Sequence, residues 1–172
     1  ELGFTRGFVQ SQAFVNHFGK SAPIQPSKHD LVFDTSEVAG TNAHGEKFTF
    51  ADEYEWMGFT AREKILGLLT DVVKNKNLVV DVFAYDLSES NTIDLLLKLA
   101  RQGRVRIILD NAALHHNLKK PTAEDRFEKA FNKAAKGKKL LLRGKFAVRN
   151  GKYVGKQGAG QFIARGPSGK MV

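Results

Sequence analysis

The chain has no cysteine among its 172 residues. That excludes a disulfide framework, a thiolate zinc site and a cysteine nucleophile together. Apolar runs are short, and none approaches the roughly 18 residues needed to span a bilayer. The chain opens at Glu1 without an initiator Met, and no charged n-region or apolar h-region follows. The expectation is a soluble chain with no visible signal peptide, whose start looks like a cut; the compartment stays open. Glycine-rich phosphate loops are also missing. Leu87-Ser88-Glu89-Ser90 carries a strand into a helix without a glycine, and the glycines of 155–160 (GKQGAG) do not join a strand to a helix. Rossmann and P-loop nucleotide binding both need that context and are set aside.

Acidic residues run out part-way along the chain. The formal net charge is +9, yet no Asp or Glu follows Glu128, and twelve Lys and Arg lie from Lys129 onward. The first 128 residues hold 15 basic and 18 acidic side chains, a net of −3. The excess charge therefore sits in the C-terminal quarter, where it attracts phosphates of nucleic acid or of a lipid surface. A solvated, partly unstructured basic tail is the competing reading.

The organising stretch is 78–111. LVVDVFAY is an apolar, β-branched and aromatic run without helical period; SESNTIDLLLKLARQG is an amphipathic helix; RVRIILDN is a second apolar strand ending on a carboxylate. Strands joined through a helix lie parallel. Their apolar character on both faces predicts cover on both sides. Ile93, Leu96, Leu97 and Ala100 form the helix stripe, with Ser88 or Ser90 as N-cap and Gly103 as the stop. Pro121-Thr122 opens a further helix, with Thr122 and Asp125 spaced as a capping box and Phe127, Ala130, Phe131 and Ala134 on its apolar face. KKLLLRGKF supplies a third buried strand.

Upstream, 9–18 suits a short helix. Residues 21–50 read as loop with at most a short strand at Leu31–Asp34, and 50–74 as one long helix with a stripe of Ile65, Leu68, Leu69 and Val72. Downstream of Gly144, the choice lies between short strands turning at Asn150-Gly151 and a loosely ordered tail. The fold class is α/β: a β-α-β-α-β layer of parallel strands flanked by helices, with an N-terminal helical lead-in and a basic C-terminal tail or hairpin. Residues 1–52 form the lead-in, 53–148 the α/β half-domain and 149–172 the basic glycine-rich tail.

Chemistry is expected where the strands end, near Asp86 and Asp110, which could approach each other across neighbouring strands. His115 and His116 follow in the loop after Asp110. Adjacent histidines on an extended segment point to opposite sides, so a polar loop is favoured over a metal site. Loops at the C-terminal ends of parallel strands are nonetheless where function is built. His115, His116, Lys119, Arg143 and Lys145 are the candidate phosphate- or anion-binding residues. No metal ligands are assigned.

The stretch VVDVFAYDLSESNTIDLLLKLARQGRVRIILDNAALH resembles the first half of a phospholipase D-like domain. In that superfamily such a strand leads to a helix, an A-x-x-G-V-x-V type turn and a strand ending in Asp; the turn here is Ala100-Arg101-Gln102-Gly103-Arg104-Val105-Arg106-Ile107. FTRGFVQSQAF is similar to the lead-in of some bacterial two-domain members, and EDRFEKAF and LLLRGKFA resemble the segment before the catalytic motif, so the likeness covers roughly 4–148.

The resemblance implies metal-independent cleavage of phosphodiesters, of phospholipid or of nucleic acid, without cofactor. In the family, the His of an H-x-K-x4-D motif attacks phosphorus, and a second copy of the motif, from another half-domain or a homodimer partner, supplies the acid. This chain departs from that pattern. Its His17/Lys20, His44/Lys47 and His116/Lys119 are all H-x-x-K, and Ser168-Gly169-Lys170 has Ser where the His belongs. Either the chain is a fragment ending before its catalytic segment, or it is a degenerate member that binds phosphate without cleaving it. No catalytic residue is assigned. In this reading Asp86 and Asp110 are structural or supporting groups.

Overall fold

A computed structural model describes residues 2–28, 30–84, 86–110, 117, 119–138, 140–149, 152–157 and 160–162, with the backbone course alone from 142 onward. The chain divides into two compact units, one of 1–77 with 89–95 and the other of 78–88 with 96–172.

In the first unit, helix α1 (Gln12–Phe18) starts at Ser11, whose Oγ accepts the Phe14 N–H. A hairpin follows, β1 (Val38–Thr41) against β2 (Lys47–Thr49). Asn42 builds its turn: Oδ1 accepts the N–H groups of His44 and Glu46, and the Asn42 N–H donates to the Glu46 carbonyl. This side-chain mimic of a backbone turn places the strands there. Leu31–Asp34, the expected strand, is irregular; Ser90 Oγ accepts the Phe33 N–H and donates to its carbonyl, occupying the groups a ladder would use. Phe14, Phe18 and Phe48 form the aromatic core, with Trp56 and Met57 packed against it.

Helix α2 (Phe50–Lys74) begins with a full capping box, Thr49 and Asp52 bonding each other's backbone N–H. It is broken at Phe59, which sits at φ 43°, ψ −135°. The expected stripe along α2 is half realised: Leu69 and Val72 are buried, whereas Ile65 and Leu68 are exposed. The expected single helix is thus two arms, and the reason for the break lies in the N-terminal segment described below.

The second unit carries the α/β layer. Strands β3 (Val80–Ala84), β4 (Val105–Asp110) and β5 (Leu141–Arg149) are parallel neighbours. β6 (Lys152–Gln157) and β7 (Gly160–Phe162) extend the sheet antiparallel, in the order β3-β4-β5-β6-β7. The register pairs Arg149 with Lys152, so two residues separate the paired ends, the spacing of the expected hairpin. Helices α3 (Ser90–Gln102) and α4 (Ala123–Ala134) supply the crossovers.

The end of α3 shows why Gly103 is there. Its φ is +71°, its N–H donates to the Ala100 carbonyl and the Arg104 N–H donates to the Leu99 carbonyl. That is the paired bonding of a Schellman stop, which a left-handed residue must close. At the other end, the cap is Glu89 rather than Ser88 or Ser90, its carboxylate accepting the Thr92 N–H. Ser90 is buried and committed to Phe33.

Leu96, Leu97, Leu99 and Ala100 of α3, Val105, Ile107 and Leu109 of β4, Phe127 and Phe131 of α4, and Leu141 make the buried set. Each fully buried large side chain contributes roughly 1.5–3 kcal/mol. Among the described residues, cover on both faces, expected for β3 and β4, is not found. β4 alternates buried Val105, Ile107 and Leu109 with exposed Arg106, and Phe83 of β3 is 70% exposed. β3 is the edge strand of the sheet, and period-2 burial marks a sheet with one packed face. Among the described residues, no helix is long and apolar enough to cross a membrane.

Candidate functional site

The strand ends of the second unit bring a pair of carboxyls together. Asp86 lies two residues beyond the end of β3, and Glu124 lies in the first turn of α4. Glu124 is 4% exposed, and its Oε1 accepts the Leu87 N–H at 3.2 Å. Burial by itself raises its pKa. Bonds from its own backbone N–H, from Leu87 N–H and from the side chains of Asp86 and Thr122 outweigh that and hold it below the ordinary glutamate value.

The loop leading into α4 is built around Asp125. Its Oδ2 accepts the N–H groups of Asn117 and Thr122, and Asn117 Oδ1 in turn accepts those of Lys119 and Lys120. Lys119 and Asp86 are exposed, and Asp110 is half-buried at the end of β4. The β3–β4 register runs to Ala84 opposite Leu109, so Asp110 ends β4 beside the end of β3, two residues before Asp86. Opposite Asp110 on β5 stands Gly144, flanked in sequence by Arg143 and Lys145; Arg143 pairs with Leu109, and Lys145 pairs with Lys156 of β6. His115 and His116 lie outside the described residues. The fold thus gathers Asp86, Asp110 and the backbone of Arg143 and Lys145 at one end of the sheet.

Glu124 was not among the expected site residues. The signal was present: Glu124, Phe127 and Phe131 share the i, i+3, i+7 spacing of one buried stripe, so a carboxylate was due to be buried. The pair ties the segment after β3 to the start of α4. Among the described residues, no group of three or more His, Asp or Glu is placed to hold a metal ion.

A second polar cluster belongs to the first unit. Glu53 is fully buried, and neither carboxyl oxygen has a hydrogen-bond partner among the described residues. Burial, and then the charge of Asp52, push its pKa up to about 7. Next to it in sequence, Tyr54 donates its hydroxyl to the Ile24 carbonyl at 2.7 Å. Its pKa is raised, chiefly by burial and then by Glu89 and Glu53, with Arg62 opposing. Arg62 bridges to Glu89 at 3.1 Å, and its buried Nε has no partner among the described residues.

The sequence matches no family model, and neither a curated protein nor a solved structure matches it.

Proposed function

We propose that the chain is part of a phospholipase D-like phosphodiesterase domain, inactive by itself, whose nucleophilic histidine lies on a segment it does not contain. The observation that carries this reading is the β3-α3-β4-α4-β5 unit, with the Ala100–Gly103 turn closing α3 and β4 ending on Asp110. The reading requires that order of elements, that turn and that terminal carboxylate. The substrate class is a phosphodiester, of phospholipid or of nucleic acid. Asp86, Asp110 and Glu124 shape the strand ends; Lys119, Arg143 and Lys145, with His115 and His116, are the candidate anion contacts. A second half-domain or a second copy of the domain would complete the site.

The test is to extend the encoding reading frame past Val172 and to assay the extended chain on bis(p-nitrophenyl) phosphate with EDTA present. An H-x-K-x4-D motif within some tens of codons, with turnover that survives EDTA and is lost on His→Ala, is expected. Turnover that EDTA abolishes, or an extended frame without the motif, defeats the reading.

A non-enzymatic reading also has a specific observation behind it. The β5–β6 register sets Lys145 opposite Lys156 and Arg149 opposite Lys152. Like charges directly opposite each other destabilise a strand pair, and a polyanion relieves them. In this reading residues 129–170 are a module for nucleic acid or anionic lipid. Retention on DNA or anionic vesicles should then fall steeply with salt through counterion release, and deleting 144–172 should abolish it. Retention that survives the deletion excludes this region as the site.

A further inference from the structure

The break in α2 is not explained by α2 itself. In an unbroken helix the Ala61 N–H would donate to the Met57 carbonyl. Here each group is taken by residues more than fifty positions away. The Arg6 N–H donates to the Met57 carbonyl at 2.9 Å, and the Ala61 N–H donates to the Phe4 carbonyl at 3.1 Å. The N-terminal segment has inserted its backbone into the gap of one helical hydrogen bond. Thr60 seals the joint, its Oγ1 accepting the Phe4 N–H at 2.9 Å and donating to the Phe4 carbonyl at 3.3 Å.

Side chains add to the clasp. The Arg6 guanidinium lies 4.4 Å from the centre of the Phe59 ring and 5.6 Å from that of Trp56. The segment lies so close that a Cβ on Gly3 would stand 3.0 Å from the Ala61 Cα, a backbone atom that cannot yield cheaply. Yet residues 2–6 are themselves exposed. The hold is therefore a few backbone bonds and one cation over two rings.

A pocket of about 420 Å³ lies at the break, lined by Glu55, Phe59, Thr60, Arg62, Glu63 and Leu66. Its walls come from both arms of α2, before and after Phe59. Joining the arms into one rod would restore the Met57–Ala61 bond, free Phe59 from its positive φ and remove the pocket.

We propose that residues Gly3 to Gly7 are a releasable strap: bound, it holds α2 broken at Phe59 and the pocket open; released, it lets 50–74 run as one helix and closes the pocket. The bent state stores an unfavourable backbone at Phe59 that only the strap's bonds offset, which makes it one of two available arrangements.

The test uses the full chain, whose lack of cysteine makes spin labelling clean. Labels at Glu55→Cys and Asp71→Cys would sit roughly 24 Å apart along a straight helix. In the parent the distance should be shorter. With Gly3→Val and Thr60→Val it should lengthen toward the straight value, while acrylamide quenching of Trp56, the sole tryptophan, rises as Arg6 leaves. If that variant loses its helical circular dichroism, Arg6→Ala alone decides; a second, longer distance population is expected beside the first. A parent distance already at the straight value overturns the proposal. So does a distance that stays short in the folded double variant, or a single unchanged distance in Arg6→Ala.

Discussion

Leu87 and Glu124 stand 37 residues apart in sequence, and the backbone N–H of one donates to the carboxylate of the other at 3.2 Å. Through this bond the chain leaving β3 is fastened to the first turn of α4, with Asp86 bonded to the same carboxyl. The segment leaving β3 is therefore held by a buried acid.

Removing that acid should be costly. Glu124→Ala leaves the Leu87 N–H buried without its acceptor, at about 1–3 kcal/mol. Glu124→Gln keeps an oxygen for it and should lose less. The depressed Glu124 pKa also carries a pH signature. Its contribution is fully present above the unfolded glutamate pKa and is lost as pH falls through the folded one. Urea unfolding at pH 7 and pH 3 should show a smaller acid loss in Glu124→Gln than in the parent; equal losses would contradict the assignment.

Glu53 should act with the opposite sign. Its folded pKa is raised to about 7 from an ordinary 4.5, so the folded state binds its proton more tightly than the unfolded state. Stability from this group is fully present below pH 4.5 and declines until the pH passes about 7, by about 3 kcal/mol over that window. Glu53→Gln, neutral and of the same shape, should unfold at higher urea than the parent at pH 8 and near the same urea at pH 4. If the variant is no more stable at pH 8, Glu53 is not ionised in an unpartnered site.

Much of the second unit is legible in the residues, because its determinants are local. The stripe of α3, the Gly103 stop and the Thr122–Asp125 box each announce an element over a few positions, and the parallel order follows from the helical crossovers. The break at Phe59 is different. Gly58 precedes it, but Gly67 lies in the same helix without breaking it, and the bonds that stabilise the break come from Phe4 and Arg6. No window along α2 contains that information. The open face of β3 and β4 was hidden by a similar ambiguity: Val79, Phe83 and Ile108 look buried by composition, and only the neighbours of a strand decide which face is covered. At the strand ends, Asp86 and Asp110 were legible from topology. Glu124 could have been read from its place in the Phe127–Phe131 stripe.

A charged cross-strand pair lies on the exposed face of the β3–β4 ladder. Asp81 and Arg106 are register partners and meet in a two-pronged contact, Nε to Oδ1 at 2.6 Å. Both side chains are about half exposed or more, so the pair should contribute only about 0.2–1 kcal/mol. Asp81→Asn and Arg106→Gln, combined in a double-mutant cycle, should give a coupling in that range at low salt that shrinks in 1 M NaCl. A salt-independent coupling above 2 kcal/mol would mean that the pair is covered in solution.

Phe59 offers a comparison in which the usual order of two residues reverses. Inside a regular helix, glycine is less stable than alanine by about 1 kcal/mol. At φ 43°, ψ −135° any side chain with a Cβ is strained, at a cost of about 1–3 kcal/mol, and only glycine escapes. Phe59→Gly and Phe59→Ala both delete the ring beneath Arg6, so that loss cancels between them. Phe59→Gly should therefore be the more stable of the two, by about 1 kcal/mol or more in urea unfolding at one pH. In the Arg6→Ala background, where the straight arrangement becomes populated, the difference should shrink, because alanine is the better residue in a regular helix. Should alanine prove the more stable at position 59, the residue is helical in solution and α2 is not broken there.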